Sequence, residues 1–266
     1  MYLYRMGEDQ KLINDLRSAM KAEELYLVYQ PILNSNEEMV AIEALLRWKH
    51  PRYHFISPEQ IIKMAEENDL IFELGKWILQ EACHFTKTIQ EDYPTMSLHI
   101  NISPAQLTDG QFISTIKKVL TETKLHPSCL QIEITENLNV FDIEDSIKKL
   151  HQLKDLGLSI AVDDFGTGYS SLQYLHQLPV DRLKIDKSFV MNLNPEDGKA
   201  KAILSTIISL AGTLNMDVVA EGVETELQYT FLKEKGCHLF QGYYFYKPLQ
   251  TNQIRQIIEN EQIATH

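Results

Sequence analysis

Asp163 and Asp164 stand side by side at the end of a short apolar run, Ile160-Ala161-Val162, and are followed by Phe165 and the glycines Gly166 and Gly168. An apolar run of this length reads as a strand buried on both faces. Two acids at its end cannot both lie in apolar surroundings as free charges, because burying unpaired charge is too costly. They need water, a cation or a metal ion. Taken alone, the pair fits a solvated loop mouth or an acidic helix start just as well. The pattern recurs, however. Strand-like stretches end at Gln30, Glu43, Asn101, Glu133, Lys184, Glu221 and Gln241. Each is singly an ordinary polar group at a loop start. Eight strand ends that all carry an acid, an amide or a lysine are harder to read as unrelated solvated loops.

Glu43, Asn101, Glu133, Asp163 and Asp164 offer only oxygen donors, which suit Mg2+, Mn2+ or Ca2+ and not zinc. None of the nine histidines occupies one of these strand ends. More carboxylates than one ion needs, with an adjacent pair able to bridge, imply two ions about 3.5–4 Å apart, the arrangement that clamps a phosphoryl displacement. Lys184 and Arg47 would supply cationic contacts to a phosphate, a bidentate one being open to Arg47. On this chemistry a phosphodiesterase follows. Three competitors are weaker. Asp164-Phe165-Gly166 also occurs in protein kinases, but the glycine-rich strand–loop and His-Arg-Asp loop are missing. Gly166-Thr167-Gly168 lacks the lysine of a phosphate cradle and reads better as a flexible loop. A glycosidase would pair carboxylates on a barrel too, yet the chain has only two Trp for sugar platforms.

The elements that would gather these residues alternate. A lead-in helix over 9–24 precedes strands at 25–32 and 39–46, separated by Asn34-Ser35-Asn36-Glu37, a connection too short for a helical crossover, so the two pair antiparallel. Ser57-Pro58 starts helices at 58–68 and 73–91. Strands at 97–102, 130–134, 158–162, 182–185, 217–220 and 238–241 then alternate with helices near 109–123, 142–156, 197–215, 225–235 and 250–262, plus a short helix after the glycine loop. Eight strands with helices between them, and no GxGxxG after the first, point to a closed (β/α) barrel, an α/β fold, over an open doubly wound sheet. In a barrel the C-terminal strand ends share one face, so acids distant in sequence meet.

At 266 residues one barrel domain accounts for the length. A net charge of −12 argues against general nucleic-acid or anionic-membrane binding, which needs a basic face. Three scattered cysteines without a CxxC suggest neither a disulfide framework nor a zinc ribbon, in keeping with a reducing cytoplasmic compartment. No apolar run reaches the roughly 18 residues of a membrane span, and no signal peptide opens the chain.

With Glu43-Ala44-Leu45 followed by Leu46-Arg47-Trp48, then Asn101-Ile102-Ser103, Glu133-Ile134-Thr135-Glu136, Asp163 to Leu172, Leu183-Lys184-Ile185-Asp186, Ala220 to Thr225 and Gln241-Gly242-Tyr243, the chain resembles the EAL-domain cyclic-di-GMP phosphodiesterases. The resemblance runs from about residue 25 to 249. It implies a modified TIM (β/α)8 barrel with an antiparallel first strand, hydrolysing cyclic di-GMP to linear pGpG with two Mg2+ or Mn2+ and so lowering a bacterial second messenger. By resemblance, Glu43, Asn101, Glu133 and Asp163 are metal ligands, Asp163 bridging. Asp164 holds the second ion or its water, and Lys184 and Glu221 contact or help activate that water. Gln30, Arg47 and Gln241 bind substrate or order the mouth, Glu136 braces the loop after Asp164, and Asp186 and Glu224 are structural. Departures are few: Ala41 and His54-Phe55 stand where members often have glycine.

Tyr2-Leu3-Tyr4-Arg5 is similar to the tail of a GGDEF domain. Residues 1–20 are therefore expected to be a lead-in segment from an upstream GGDEF or sensor domain, and 21–262 the barrel. A cytoplasmic homodimer pairing beside the glycine loop is implied, membrane-tethered in many whole members, with no nucleic acid and no membrane contact by this domain. Ca2+, which fits oxygen sites but prefers looser geometry, is expected to inhibit. The alternative from another class is a catalytically silent cyclic-di-GMP receptor, whose mark would be a lost metal ligand.

Overall fold

The computed structural model describes residues 2–264 apart from 21, 23, 51, 54–55, 137–142, 168–174 and 194–197, and of 2–10 and 261–264 the backbone alone. His54, Phe55, the second half of the glycine loop and the short helix expected after it lie outside the described residues. Strands β1 (Leu25–Asn34), β2 (Met39–Trp48), β3 (Ser97–Ile102), β4 (Leu130–Thr135), β5 (Ser159–Phe165), β6 (Arg182–Ile185), β7 (Asp217–Ala220) and β8 (Leu239–Phe240) close into one barrel in chain order. β1 runs antiparallel to both β2 and β8, while the remaining neighbours are parallel.

The opening hairpin forms because Asn34 builds its own turn. Its side-chain carbonyl accepts from the backbone N–H of Asn36 at 2.8 Å and of Glu38 at 3.0 Å. The hairpin is longer than its apolar runs suggest, which corrects one expectation. Gln30 and Glu43 do not end their strands; they are cross-strand partners in mid-hairpin. Leu25–Val28 and Leu45–Trp48 go on pairing with each other beyond Ala44, the last β2 residue that pairs with β3. Leu16 and Ala19 of the lead-in helix (Tyr2–Ala19) are buried in the same cluster as Leu25, Leu27 and Trp48 of that extension.

Around the barrel, helices begin where chain leaves the mouth. Ser57, Ser103 and Thr225 each form a reciprocal capping box, with Gln60, Gln106 and Gln228. Each cap contributes about 1 kcal/mol and fixes the first turn after a strand. The single helix expected at 109–123 is two, Pro104–Thr108 and Phe112–Thr123, because Asp109 takes an extended conformation and caps Gln111 N–H. Along β3, β4 and β6, Leu98, Ile100, Leu130, Ile132, Leu183 and Ile185 join the main apolar core. Residues of the other parity face the barrel interior. There Ile32, Ala41 and Val219 form a small separate apolar plug, and the polar residues gather.

Candidate metal centre

The alternation places Glu43, Asn101, Glu133, Asp163 and Lys184 on the inner face of β2 to β6 near the mouth. Glu221 and Gln241 follow β7 and β8 by one residue and still bond to neighbouring strands, through Glu221 N–H to Ile185 and Gln241 N–H to Ala220. Lys184 sits at the centre, fully buried. Its Nζ lies 2.6 Å from Glu133 Oε2, 2.6 Å from Glu221 Oε1, 3.2 Å from Asp163 Oδ1 and 3.5 Å from Glu43 Oε2.

Burial by itself would push Lys184 down, but the surrounding Asp163, Glu133, Glu221 and Glu43 outweigh it and hold the ammonium well above its ordinary range. One ammonium cannot satisfy four carboxylates. Burial, reinforced by mutual repulsion, accordingly raises Glu43, Glu133 and Glu221 above the usual carboxylate range. The excess of buried acid is the physical argument that this donor set fits divalent cations. Oxygens of Glu43, Glu133 and Asp163 approach one another within 4.8 Å, as do those of Asp163, Asp164 and Glu221, so Asp163 is common to two groups able to hold an ion.

Asp164 reaches its group through a distortion. Adjacent residues of a regular strand point to opposite faces. Here the β5–β6 register shifts between Val162 and Phe165, and Asp164 adopts a left-handed φ of 53°. Such a bulge re-aims a side chain at the cost of roughly 1–3 kcal/mol of backbone strain. Burial, then Asp163 and Asp186, push the Asp164 carboxyl up to about 6.

Glu43 is oriented from both sides. Asn101 Nδ2 donates to its Oε1 at 2.6 Å, and Gln241 Nε2 to its Oε2 at 2.7 Å. Gln241 Nε2 also lies 3.3 Å from Gln30 Oε1, and Gln30 Nε2 donates to the Tyr246 carbonyl. Gly242 makes this possible, since a side chain there would collide with the Val223 backbone. Two expected residues stand apart from the cluster. Arg47 turns its guanidinium to the Leu46 carbonyl at 2.8 Å. Glu136 Oε2 accepts from Gly166 N–H at 2.8 Å, in the loop after Asp164. A cavity of about 420 Å3 opens over the site, lined among others by Gln30, Glu43, Asp163, Glu221, Gln241 and the exposed Met191 and Tyr243. A larger groove of about 670 Å3 on the barrel flank, with Tyr26, Trp77, His84 and Arg255, has no comparable cluster of acids.

Beneath the acids lies a polar group that the strand-end reading misses. His99, Gln131 and Arg182 each precede Asn101, Glu133 and Lys184 by two residues and so share their face. That spacing was the available signal. Burial, helped by the Arg182 and Lys184 charges, drives His99 down to about 3, so the ring is neutral.

A model of the EAL domain matches residues 13–248. The chain belongs to the EAL-domain family. Among curated EAL relatives it is 40% identical over 249 residues to the bifunctional diguanylate cyclase/cyclic di-GMP phosphodiesterase MucR of Pseudomonas aeruginosa, covering 93% of this chain and 36% of MucR. It is 37% identical to the cyclic di-GMP phosphodiesterase NbdA of the same organism, covering 93% of this chain and 32% of NbdA. The chain thus spans about a third of the length of these relatives. The solved PaMucR phosphodiesterase in complex with c-di-GMP superposes with a TM-score of 0.86 at 39% identity, covering 92% of this chain and 99% of that one. The EAL enzyme Bd1971, in its cAMP-bound form, does so with a TM-score of 0.90 at 35% identity, covering 97% and 72%. The mixed eight-stranded barrel is therefore the EAL fold. Among the described residues no helix is long and apolar enough to cross a membrane.

Proposed function

We propose that this chain is a cyclic-di-GMP phosphodiesterase that opens one phosphodiester bond to give linear pGpG. The observation that carries the reading is the convergence of Glu43, Glu133, Asp163 and Glu221 on the single buried Lys184, in a barrel whose relatives carry that activity in their names. Glu43, Asn101, Glu133, Asp163 and Asp164 would hold two Mg2+ or Mn2+ ions, with Asp163 shared. When bound, such ions lower the pKa of water and offset charge on the attacking and leaving oxygens.

The protein's own groups divide the remaining work. Lys184, held as an ammonium, has no lone pair with which to accept a proton, so it orients the attacking water and balances charge. Glu221 and Asp164, which both face the mouth, are the groups able to take the proton. Gln241 bonds the Glu43 carboxylate and Gln30 in turn holds Gln241, and both side chains line the cavity the dinucleotide would enter. Arg47, on the inner-facing parity of β2 above Glu43, would swing from the Leu46 carbonyl to a phosphate. Glu136 steadies the loop after Asp164. The acids expected by resemblance to hold metal or activate water, Glu43, Glu133, Asp163, Asp164 and Glu221, stand in one cluster, which favours turnover over a silent receptor.

The decisive assay incubates the folded chain with cyclic di-GMP and either Mg2+ or Mn2+ and follows products chromatographically. Linear pGpG is expected with at least one ion and none in chelator. Absence of hydrolysis with both would overturn the reading, and tight binding without turnover would turn it to a receptor.

A further inference from the structure

His99 is a fully buried imidazole that the proposed chemistry does not use. Its Nδ1 lies 2.9 Å from Glu133 Oε1, and its Nε2 is buried with no hydrogen-bond partner. Gln131 Nε2 donates to the same Oε1 at 3.1 Å and lies 3.0 Å from His99 Nδ1. Arg182 Nη1 donates to Gln131 Oε1 at 2.6 Å. This last bond fixes the sense of the amide: its carbonyl is taken by the guanidinium, so its NH2 must face Glu133. The imidazole tautomer follows as well. A bare Nδ1 could accept from Gln131 Nε2 at 3.0 Å, but it would set its lone pair against the Glu133 carboxylate at 2.9 Å and leave Nε2–H as an orphaned buried donor. With the proton on Nδ1, one bond is made and only a neutral acceptor is left over.

The consequence falls on Glu133. Its Oε1 is occupied by two donors from the barrel interior, while its Oε2 points toward Lys184 and the mouth. We propose that His99, with Gln131 and Arg182 behind it, is a positioning residue that ties down Glu133 Oε1 and leaves Oε2 as the atom offered to a divalent cation. The inference rests on the metal site proposed above. Ligating carboxylates are commonly fixed by such outer bonds, and losing one typically costs about 10–100-fold in metal affinity.

The test measures Mn2+ binding to the substrate-free chain by electron paramagnetic resonance, with melting in chelator as the check on folding. His99→Ala should weaken Mn2+ binding about 10–100-fold. His99→Asn, whose amide nitrogen occupies the place of Nδ1, should stay within about threefold of wild type. His99→Gln, whose amide reaches the Nε2 position instead, should behave like the alanine variant. That pair carries the test if His99→Ala does not fold. Wild-type affinity in His99→Ala, or equal weakening in His99→Asn and His99→Gln, would overturn the proposal. Failure of the wild-type chain to bind Mn2+ at all would instead overturn the metal site itself, and this inference with it.

Discussion

The two ends of the barrel use charge in opposite ways. Where the strands begin, charges are matched. Lys154 Nζ lies 2.6 and 2.8 Å from the two oxygens of Asp181, and Arg182 Nε 3.4 Å from Asp217 Oδ2. Asp181 Oδ2 also accepts from Ile160 N–H at 2.9 Å, so the carboxylate stitches a helix end to two strands. At the mouth, four carboxylates share Lys184 as their one cationic ion-pair partner among the described residues, and three of them are driven upward by burial. A fold with no further purpose would not keep that imbalance, because each buried unmatched acid disfavours the folded state. The matched end reads as stability, and the unmatched end as a place prepared for cations.

The contrast can be broken at its strongest point by Glu43→Gln. Removing one acid from an overloaded cluster should leave stability in chelator unchanged or slightly raised, since Asn101 can turn its carbonyl to the new amide. Hydrolysis of cyclic di-GMP should fall at least about a thousandfold, on the order of 4 kcal/mol in the barrier. Steady-state turnover and a chelated thermal melt read the two effects separately. A variant that loses stability yet keeps its rate would make the mouth a structural polar cluster like the lower one.

Asp181→Ala makes the complementary change at the lower end. It removes a half-exposed ion pair, which is worth little, and strands the Ile160 N–H, which is worth more. The expected loss is about 1–2 kcal/mol by urea unfolding, with turnover per folded molecule unaltered. A selective loss of turnover would show that the two ends are not independent.

The mouth's half of this contrast can be read from the sequence, and the part that cannot has identifiable causes. The acids announce themselves because most follow an apolar run that marks a strand, as Ile160-Ala161-Val162 does for Asp163. Asp164 did not announce its direction, because a bulge with a left-handed residue overrides alternation and leaves no mark in residue type. The hairpin's true length was hidden because Leu45 to Trp48 pair only with β1, beyond the barrel's own register. Arg47 had a legible type but not a legible contact. His99, Gln131 and Arg182 were legible in principle at two residues before each ligand. They stand inside their strands and so fall outside the pattern of polar strand ends.

The smallest effect concerns Asp164, which stands between the two regimes, half exposed yet raised to about 6 from an unfolded value near 3.8. A carboxyl whose folded pKa is raised stabilises the fold fully below the unfolded pKa and loses that contribution as pH rises through the folded one. Asp164→Asn carries no such proton. In chelator, the stability of Asp164→Asn relative to wild type should therefore grow between pH 4 and 7. Solvent screening of a half-exposed group limits the change to about 1 kcal/mol. His99, held neutral down to about 3, contributes the opposite slope over much of this range, but equally in both proteins, so the difference isolates Asp164. Saturating Mn2+ should reverse the gap, because the wild-type carboxylate then faces positive charge. Urea unfolding of the two chains across that pH range, with and without Mn2+, measures both. A gap that stays flat in chelator would place Asp164 with the solvated acids of the lower end and leave Asp163 without its neighbour in the metal site.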